Sequence, residues 1–424
     1  MKSQNEKHIP IAFWVPSVYF TMGLPFVALT AGATLMYKTF GISDGTIAFW
    51  TSLIMLPWSL KPLWSPLLEI YRTKKFFVVA TQLLSGLLFG LVAFTLPLDN
   101  FFRYSIALLA VIAFSGATHD IATDGVYLNV LNAKDQARYV GWQGAFYNIS
   151  KLVSSGGLVY LAGELEQDFG IVHAWMVVMG LYAGIMITMA IYHIKYLPSG
   201  GNLIAIVSVQ DGLKTIKDVI VTFFEKKYIW FGIGFIILYR FAEGQAIKIA
   251  PLFFKAARHD GGLGLTTSQI GIVYGTVGSL AYVLGTFVAG HFVSTRGLTK
   301  KSLLFLCAAF NLPFIVYTYL AFTQPENIYL ISLLIAVEYF GYGFGFVGLV
   351  VFIIQQITPG KYKMSHYAFA SGIMNLGFVI PSMVSGYLSD YLGYANFYLW
   401  ILAATIPSFL VTWLVPLKPH DENA

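Results

Sequence analysis

Charged residues are scarce in this 424-residue chain: they fill 11% of its positions, against 57% for apolar ones. A soluble domain needs about 25% charged residues to cover its surface, so a water-soluble fold is excluded. Cysteine is nearly absent. Cys307 stands alone, which excludes an internal disulfide, and its place in an apolar run marks a small core residue. No G-x-x-x-x-G-K-[ST] phosphate loop occurs, so ATP is not expected as the energy source. No Cys, His or acidic cluster has metal-ligand spacing, and no loop carries a serine-centred nucleophile motif. Long polar loops are missing too, which leaves a polytopic membrane enzyme as a distant alternative. The net charge of +6 is spread over short loops and does not suggest nucleic acid.

Apolar length is what the chain has instead, with a mean hydropathy of +0.70. Runs of roughly 20 residues, each able to cross a bilayer of about 30 Å, fall near 11–36, 46–68, 76–97, 104–131, 140–163 and 173–196. A second set follows near 228–254, 269–292, 301–322, 328–356, 366–389 and 396–416. Each must be helical, since lipid offers an open backbone no hydrogen-bond partner. The first run, Ile9 through Tyr37, is too long for a cleaved leader and is expected to be retained. Arg72, Lys74, Lys75, Lys134, Arg138, Lys300 and Lys301 fall in loops on one side, whereas Lys38, Arg103, Lys255 and Arg258 fall on the other. The excess of basic residues on the first side predicts that both termini are cytoplasmic.

The expected organisation is an N-terminal six-helix half over 1–196, a linker over 197–227 and a C-terminal six-helix half over 228–424. The linker has apolar residues at helical spacing, as an amphipathic helix at the membrane surface would. The halves repeat one another. GISDGTIAFWTSLIML (41–56) parallels GLTTSQIGIVYGTVGS (264–279), EIYRTKK (69–75) parallels VSTRGLTKK (293–301), and NAKDQARYVGWQGAF (132–146) parallels TPGKYKMSHYAFASG (358–372). All three keep an offset of about 223–226 residues. Duplicated six-helix halves around a central loop predict an all-α major facilitator fold of twelve transmembrane helices, with the substrate site near mid-membrane.

The spans also hold charge: the acids Asp120, Asp124, Glu243 and Glu338, and the bases Lys61, Lys151, Arg240 and Lys248. Their formal charges cancel, so pairing is expected. Asp120 and Asp124, in SGATHDIATDG (115–125), lie one helical turn apart on one face. Two such carboxylates resist simultaneous ionisation, which makes them candidates for proton coupling, with Lys151 on the next span as a charge partner. A static ion pair is the alternative. His119 points about 100° away from Asp120. Arg240 and Glu243 can pair at i, i+3, and Arg240 could otherwise hold a carboxylate, a phosphate or a sugar hydroxyl. Glu338, in the glycine-rich EYFGYGFG, suits a proton site. Tyr147, Tyr239 and Tyr342 could stack on sugar rings, and the amides Asn148 and Asn375 could bind hydroxyls; core packing is the alternative for each. Trp14, Trp50, Trp142, Trp175, Trp230, Trp400 and Trp413 are expected at the membrane interface.

Further pieces resemble one branch of that superfamily, the muropeptide permease (AmpG-like) family, which also includes acetyl-CoA transporters. They are MGLPFVAL (22–29), LKPLWSPLLEIY (60–71), SGATHDIATDG, LVSSGGLVYLA (152–162), LYRFAEG (238–244) and VEYFGYGFG (337–345). The resemblance implies a secondary transporter, not an enzyme, and proton-coupled import of a small saccharide by alternating access. That cargo would be a muropeptide, an anhydro-disaccharide or a glycan-derived disaccharide, crossing a bacterial-type inner membrane. It further implies a monomer in the lipid bilayer with no cofactor beyond the proton gradient. Proton coupling falls to Asp120, Asp124, Glu243 and Glu338, and substrate binding to Lys61, Lys151, Arg240, Tyr147, Asn148, Tyr239, Tyr342 and Asn375. Glu69, Arg72, Lys74 and Lys75 resemble the gating loop between the second and third helices. His119 and Tyr127 depart from the muropeptide pattern, and Asp124-Gly125 is closer to the acetyl-CoA branch. An anionic acyl-CoA-like or nucleotide-like solute is therefore the alternative cargo.

Overall fold

The computed structural model describes residues 9–65, 68, 72–200, 209–360 and 362–417, and among these every regular element is helical. Polar residues at the loop ends start the helices. Ser43, Thr73, Asn132 and Asn327 each accept a backbone N–H of the first turn that follows, and Thr299 with Ser302 forms a reciprocal capping box.

Among the described residues, eight helical stretches are long and apolar enough to cross a bilayer. Two of them, Lys134–Tyr196 and Ser365–Leu414, are divided by glycines with non-helical backbone, Gly170 and Gly393. Each therefore supplies two of the expected spans. The second span is interrupted, with helices Asp44–Leu53 and Leu56–Leu60 followed by a tighter turn at Lys61–Leu63. The seventh is split into Ile229–Tyr239 and Phe241–Lys255. This pattern is consistent with twelve spans. The amphipathic linker contains a helix over Val209–Phe224, whose Phe223 is fully buried.

The chain forms two compact units. One comprises Met1–Phe40, Leu60–Val207 and Thr267–Gly275; the other comprises Gly41–Ser59, Ser208–Thr266 and Thr276–Ala424. The start of the second span thus groups with the second unit, and the start of the eighth with the first. Inside each unit the repeat is visible in atomic detail. In the first, Glu166 accepts from the Thr267 hydroxyl at 2.7 Å and from the Trp175 indole at 2.9 Å. In the second, Asp390 accepts from the Gly45 N–H at 2.8 Å, and Tyr394 donates to Asp44 at 2.5 Å. These positions correspond at the same offset as the sequence repeats, as do Gly170 (φ 76°, ψ 163°) and Gly393 (φ 73°, ψ 157°).

Packing follows from aromatic cores and close backbone approach. The first unit centres on Trp14, Val18, Val78 and Val126, the second on Phe235, Tyr239, Phe310 and Phe352. A side chain at Gly343 would collide with the Tyr282 carbonyl, and one at Gly285 with that of Phe340. Glycine there lets the eighth and tenth spans touch. Trp14 and Trp175 are completely buried, which corrects their expected place at the membrane interface. The Trp175 indole is drawn inward by its hydrogen bond to Glu166.

The backbone at Gly393 lies in a region open to glycine alone, where another residue costs of order 1–3 kcal/mol. Gly393→Ala should therefore lower the thermal unfolding midpoint in detergent. Gly290→Ala, in a helix with open space around the added methyl, should leave the midpoint unchanged or raise it slightly.

Candidate functional site

The first unit builds its polar centre around the fourth span, Phe101–Val130. Pro62 lies in the Lys61–Leu63 turn where the second span leaves α-helical geometry, and there Lys61 forms an ion pair with Asp120. Asp120 is 8% exposed at its side chain and Lys61 24%, so the cation keeps some contact with the surroundings. Beside it, the Trp64 indole donates to Thr118 at 3.2 Å and stacks on Phe114. One turn along, Asp124 accepts from the Tyr19 hydroxyl at 2.9 Å, and that hydroxyl accepts from the Gln143 amide at 2.8 Å. The two carboxylates thus share a face, as their spacing requires, but differ in partner: a cation for one, a neutral hydroxyl for the other. The small residue at Gly125 leaves room for the aliphatic stem of Lys74.

The partner expected for this pair was Lys151, and that expectation is corrected. Lys61 pairs with Asp120, because the broken second span turns its side chain toward the fourth. Lys151 lies over the Tyr147 ring at 5.2 Å.

The second unit places its charges at the break in the seventh span. Arg240 occupies the break itself (φ −96°, ψ 3°). Its guanidinium grips Glu243 through two hydrogen bonds of 2.6 Å, the fork geometry that makes arginine–carboxylate pairs strong. The Phe346 and Phe378 rings lie 5.3 and 4.7 Å from the guanidinium carbon, adding cation–π attraction. The Tyr342 hydroxyl faces Glu243, and Tyr282 stands next to both charged groups. Glu338, on the tenth span and 1% exposed, accepts from the Tyr317 hydroxyl at 2.9 Å. Its other oxygen, Oε1, is buried with no hydrogen-bond partner among the described residues.

The remaining expected site residues divide. Tyr342, Tyr147 and Asn375 are half-buried. Asn148 donates back to the Gly144 carbonyl of its own helix. Tyr239 is corrected to a core residue: it is wholly buried and its hydroxyl donates to the Gly345 carbonyl at 2.8 Å. Lys74 is buried and ends on the Leu68 carbonyl. The Lys75 backbone N–H donates to the Ser199 carbonyl, and Arg72 lies over Phe76. Glu69 falls outside the described residues. Sequence reasoning missed Tyr19, Gln143 and Tyr317, whose hydroxyls and amide serve the buried acids. It also missed Gln82, which binds His119, and His193, which binds Gln82. A glutamine inside the apolar run VVATQLL (78–84) was the available signal for Gln82.

The comparisons with known proteins agree with this architecture. The Major Facilitator Superfamily pattern matches residues 17–353 and 249–424. The chain belongs to this superfamily. It is 26% identical over 408 residues to the anhydromuropeptide permease of Escherichia coli K12, an alignment covering 92% of this chain and 77% of that one. A Rickettsia conorii protein described as transporter AmpG 4 is 22% identical over 407 residues, covering 93% and 94%. Among solved structures, a D-xylose–proton symporter superposes with a TM-score of 0.75 at 12% identity, covering 96% of this chain and 98% of that one. The nucleoside transporter NupG gives 0.69 at 15% identity, covering 95% and 98%. At such identities these two show the fold alone. The superfamily member described here is a multi-pass membrane protein and a secondary transporter of a small molecule, not an enzyme.

Removing one partner of a buried ion pair costs about 3–5 kcal/mol, whereas replacing both is often close to neutral. Because Lys61 keeps some exposure, Lys61→Met or Asp120→Asn alone should lower stability by about 2 kcal/mol. The double variant should recover most of that loss. Unfolding in detergent, read as a double-mutant cycle, checks this.

Proposed function

We propose that this transporter imports a small saccharide of the muropeptide or anhydro-disaccharide class together with protons. Import would proceed by alternating access across a bacterial-type inner membrane, with both termini cytoplasmic. The observation that carries the coupling is unequal compensation among the buried acids. Asp120 and Glu243 each have a cation. Asp124 rests on the Tyr19 hydroxyl, and Glu338 holds one tyrosine hydroxyl and one oxygen with no hydrogen-bond partner among the described residues. A buried carboxyl held by a neutral hydroxyl and not gripped by a cation is the natural carrier of a proton, even though the Lys61 charge also acts on Asp124. Asp124 in one unit and Glu338 in the other are therefore the proposed proton sites, with Lys61–Asp120 and Arg240–Glu243 as the pairs that respond to them.

The cargo assignment is supported by the likeness to the anhydromuropeptide permease, which runs along 92% of the chain. Half-buried Tyr147, Tyr342 and Asn375 offer ring faces and an amide suited to sugars. An anionic acyl-CoA-like cargo draws support from Asp124-Gly125 and from Lys248. Against it, the most suitable cation, Arg240, already has its charge answered by Glu243 and its faces covered by phenylalanines.

Uptake of labelled anhydromuropeptide, chitobiose-type disaccharide and acetyl-CoA into proteoliposomes, with and without a protonophore, tests the reading. Saccharide accumulation that collapses with the protonophore is expected, as is its loss in Asp124→Asn while exchange across the membrane partly survives. Accumulation of acetyl-CoA alone would overturn the cargo, and undiminished accumulation in Asp124→Asn would remove that residue from the coupling.

A further inference from the structure

Behind the acidic face of the fourth span runs a second polar array that the proposed transport cycle does not use. Gln82 on the third span is completely buried, as are His193 on the sixth and Thr21 on the first, while His119 is 1% exposed. The Gln82 amide nitrogen lies 2.9 Å from Thr21 Oγ1 and 3.0 Å from His119 Nε2. Its carbonyl oxygen lies 3.0 Å from His193 Nδ1. Beyond these, His119 Nδ1 faces Thr123 Oγ1 at 3.4 Å, and His193 Nε2 faces Ser17 Oγ at 2.9 Å.

Donor and acceptor chemistry assigns the protons around the Gln82 amide. The Thr21 hydroxyl donates to the Ser17 and Val18 carbonyls, so toward Gln82 it presents a lone pair. The amide NH₂ therefore points at Thr21, and an NH₂ group has donors only. Its second hydrogen requires a lone pair on His119 Nε2, which leaves the His119 proton on Nδ1 and the ring neutral. The amide oxygen accepts only, so His193 carries a proton on Nδ1. A proton on His119 Nε2 would confront the NH₂ group, donor against donor, in a buried site where neither can turn to water.

We propose that Gln82 is a positioning residue for transport: it locks His119 as the neutral Nδ1–H tautomer and so confines proton chemistry on the fourth span to Asp120 and Asp124. The groups facing the array leave this assignment intact. The first span offers the neutral Ser17 and Thr21, the third offers Lys75 toward His193, and the sixth offers His193 beside Tyr192. On the fourth span itself, Thr123 faces the ring. This inference concerns the same acids as the proposed coupling but is read independently of any cargo.

Nitrogen NMR of ¹⁵N-histidine-labelled protein in lipid bilayers, with each ring assigned through His119→Gln and His193→Gln, tests it. In the unaltered protein His119 should carry its proton on Nδ1 and stay neutral between about pH 5 and 8, the range in which histidine usually titrates. Gln82→Glu, whose carboxylate accepts from both rings, should move a proton onto His119 Nε2. Gln82→Met, which removes the amide donor facing Nε2, should let the Nε2–H tautomer of His119 appear beside the Nδ1–H one. An Nε2 proton or a charged ring on His119 in the unaltered protein at neutral pH would overturn the proposal. So would an unchanged His119 spectrum in both Gln82 variants. If transport proves not to be proton-coupled, the spectra still decide the lock; if the lock fails, the uptake assay still decides the coupling.

Discussion

The cost of placing charge in a low-dielectric interior governs this molecule. An ionised group out of water costs several kcal/mol unless a partner and hydrogen bonds compensate it. The described spans accordingly tie Asp120 to Lys61 and Glu243 to Arg240, each within one unit. Where compensation is incomplete, at Asp124 and Glu338, the fold retains acids that a purely structural core would have replaced with apolar side chains. That asymmetry is the basis of the proposed coupling, because proton carriage needs a group that is stable in either charge state.

Irregular backbone delivers these charges. The second span gives up α-helical hydrogen bonding at Lys61, next to Pro62, and the seventh does so at Arg240. A broken helix can aim a long cationic side chain at a neighbouring span, and irregular backbone at membrane depth is tolerated only where protein buries it. Regular helix returns on either side. The fourth span, by contrast, is continuous, and its 3.6-residue period sorts its polar groups: Asp120 and Asp124 toward Lys61 and Tyr19, His119 and Thr123 toward Gln82.

Much of this was legible in the sequence. Span positions followed from apolar length, and the repeats at 41–56 and 264–279 anticipated the matched contacts of Asp44 and Thr267. The i, i+3 pairing of Arg240 with Glu243 followed from helical spacing. Partners across spans did not follow, because spacing along one helix carries no information about which neighbour it faces. Lys151 was therefore expected where Lys61 is found. Tyr239 and the buried Trp14 and Trp175 were misplaced for a related reason, since an aromatic residue in lipid-length sequence reads alike whether it faces core, interface or cargo. Tyr19 and Tyr317 left no signal, being ordinary membrane residues until an acid is seen beside their hydroxyls.

The most direct measurement of the central claim is proton movement itself. Purified protein in vesicles containing a pH-sensitive dye, with no imposed gradient, would be given anhydromuropeptide from outside. Acidification of the vesicle lumen in step with cargo entry is expected, together with its loss in Glu338→Gln. Cargo entry with no change in lumenal pH would contradict the assignment of the uncompensated acids to proton coupling.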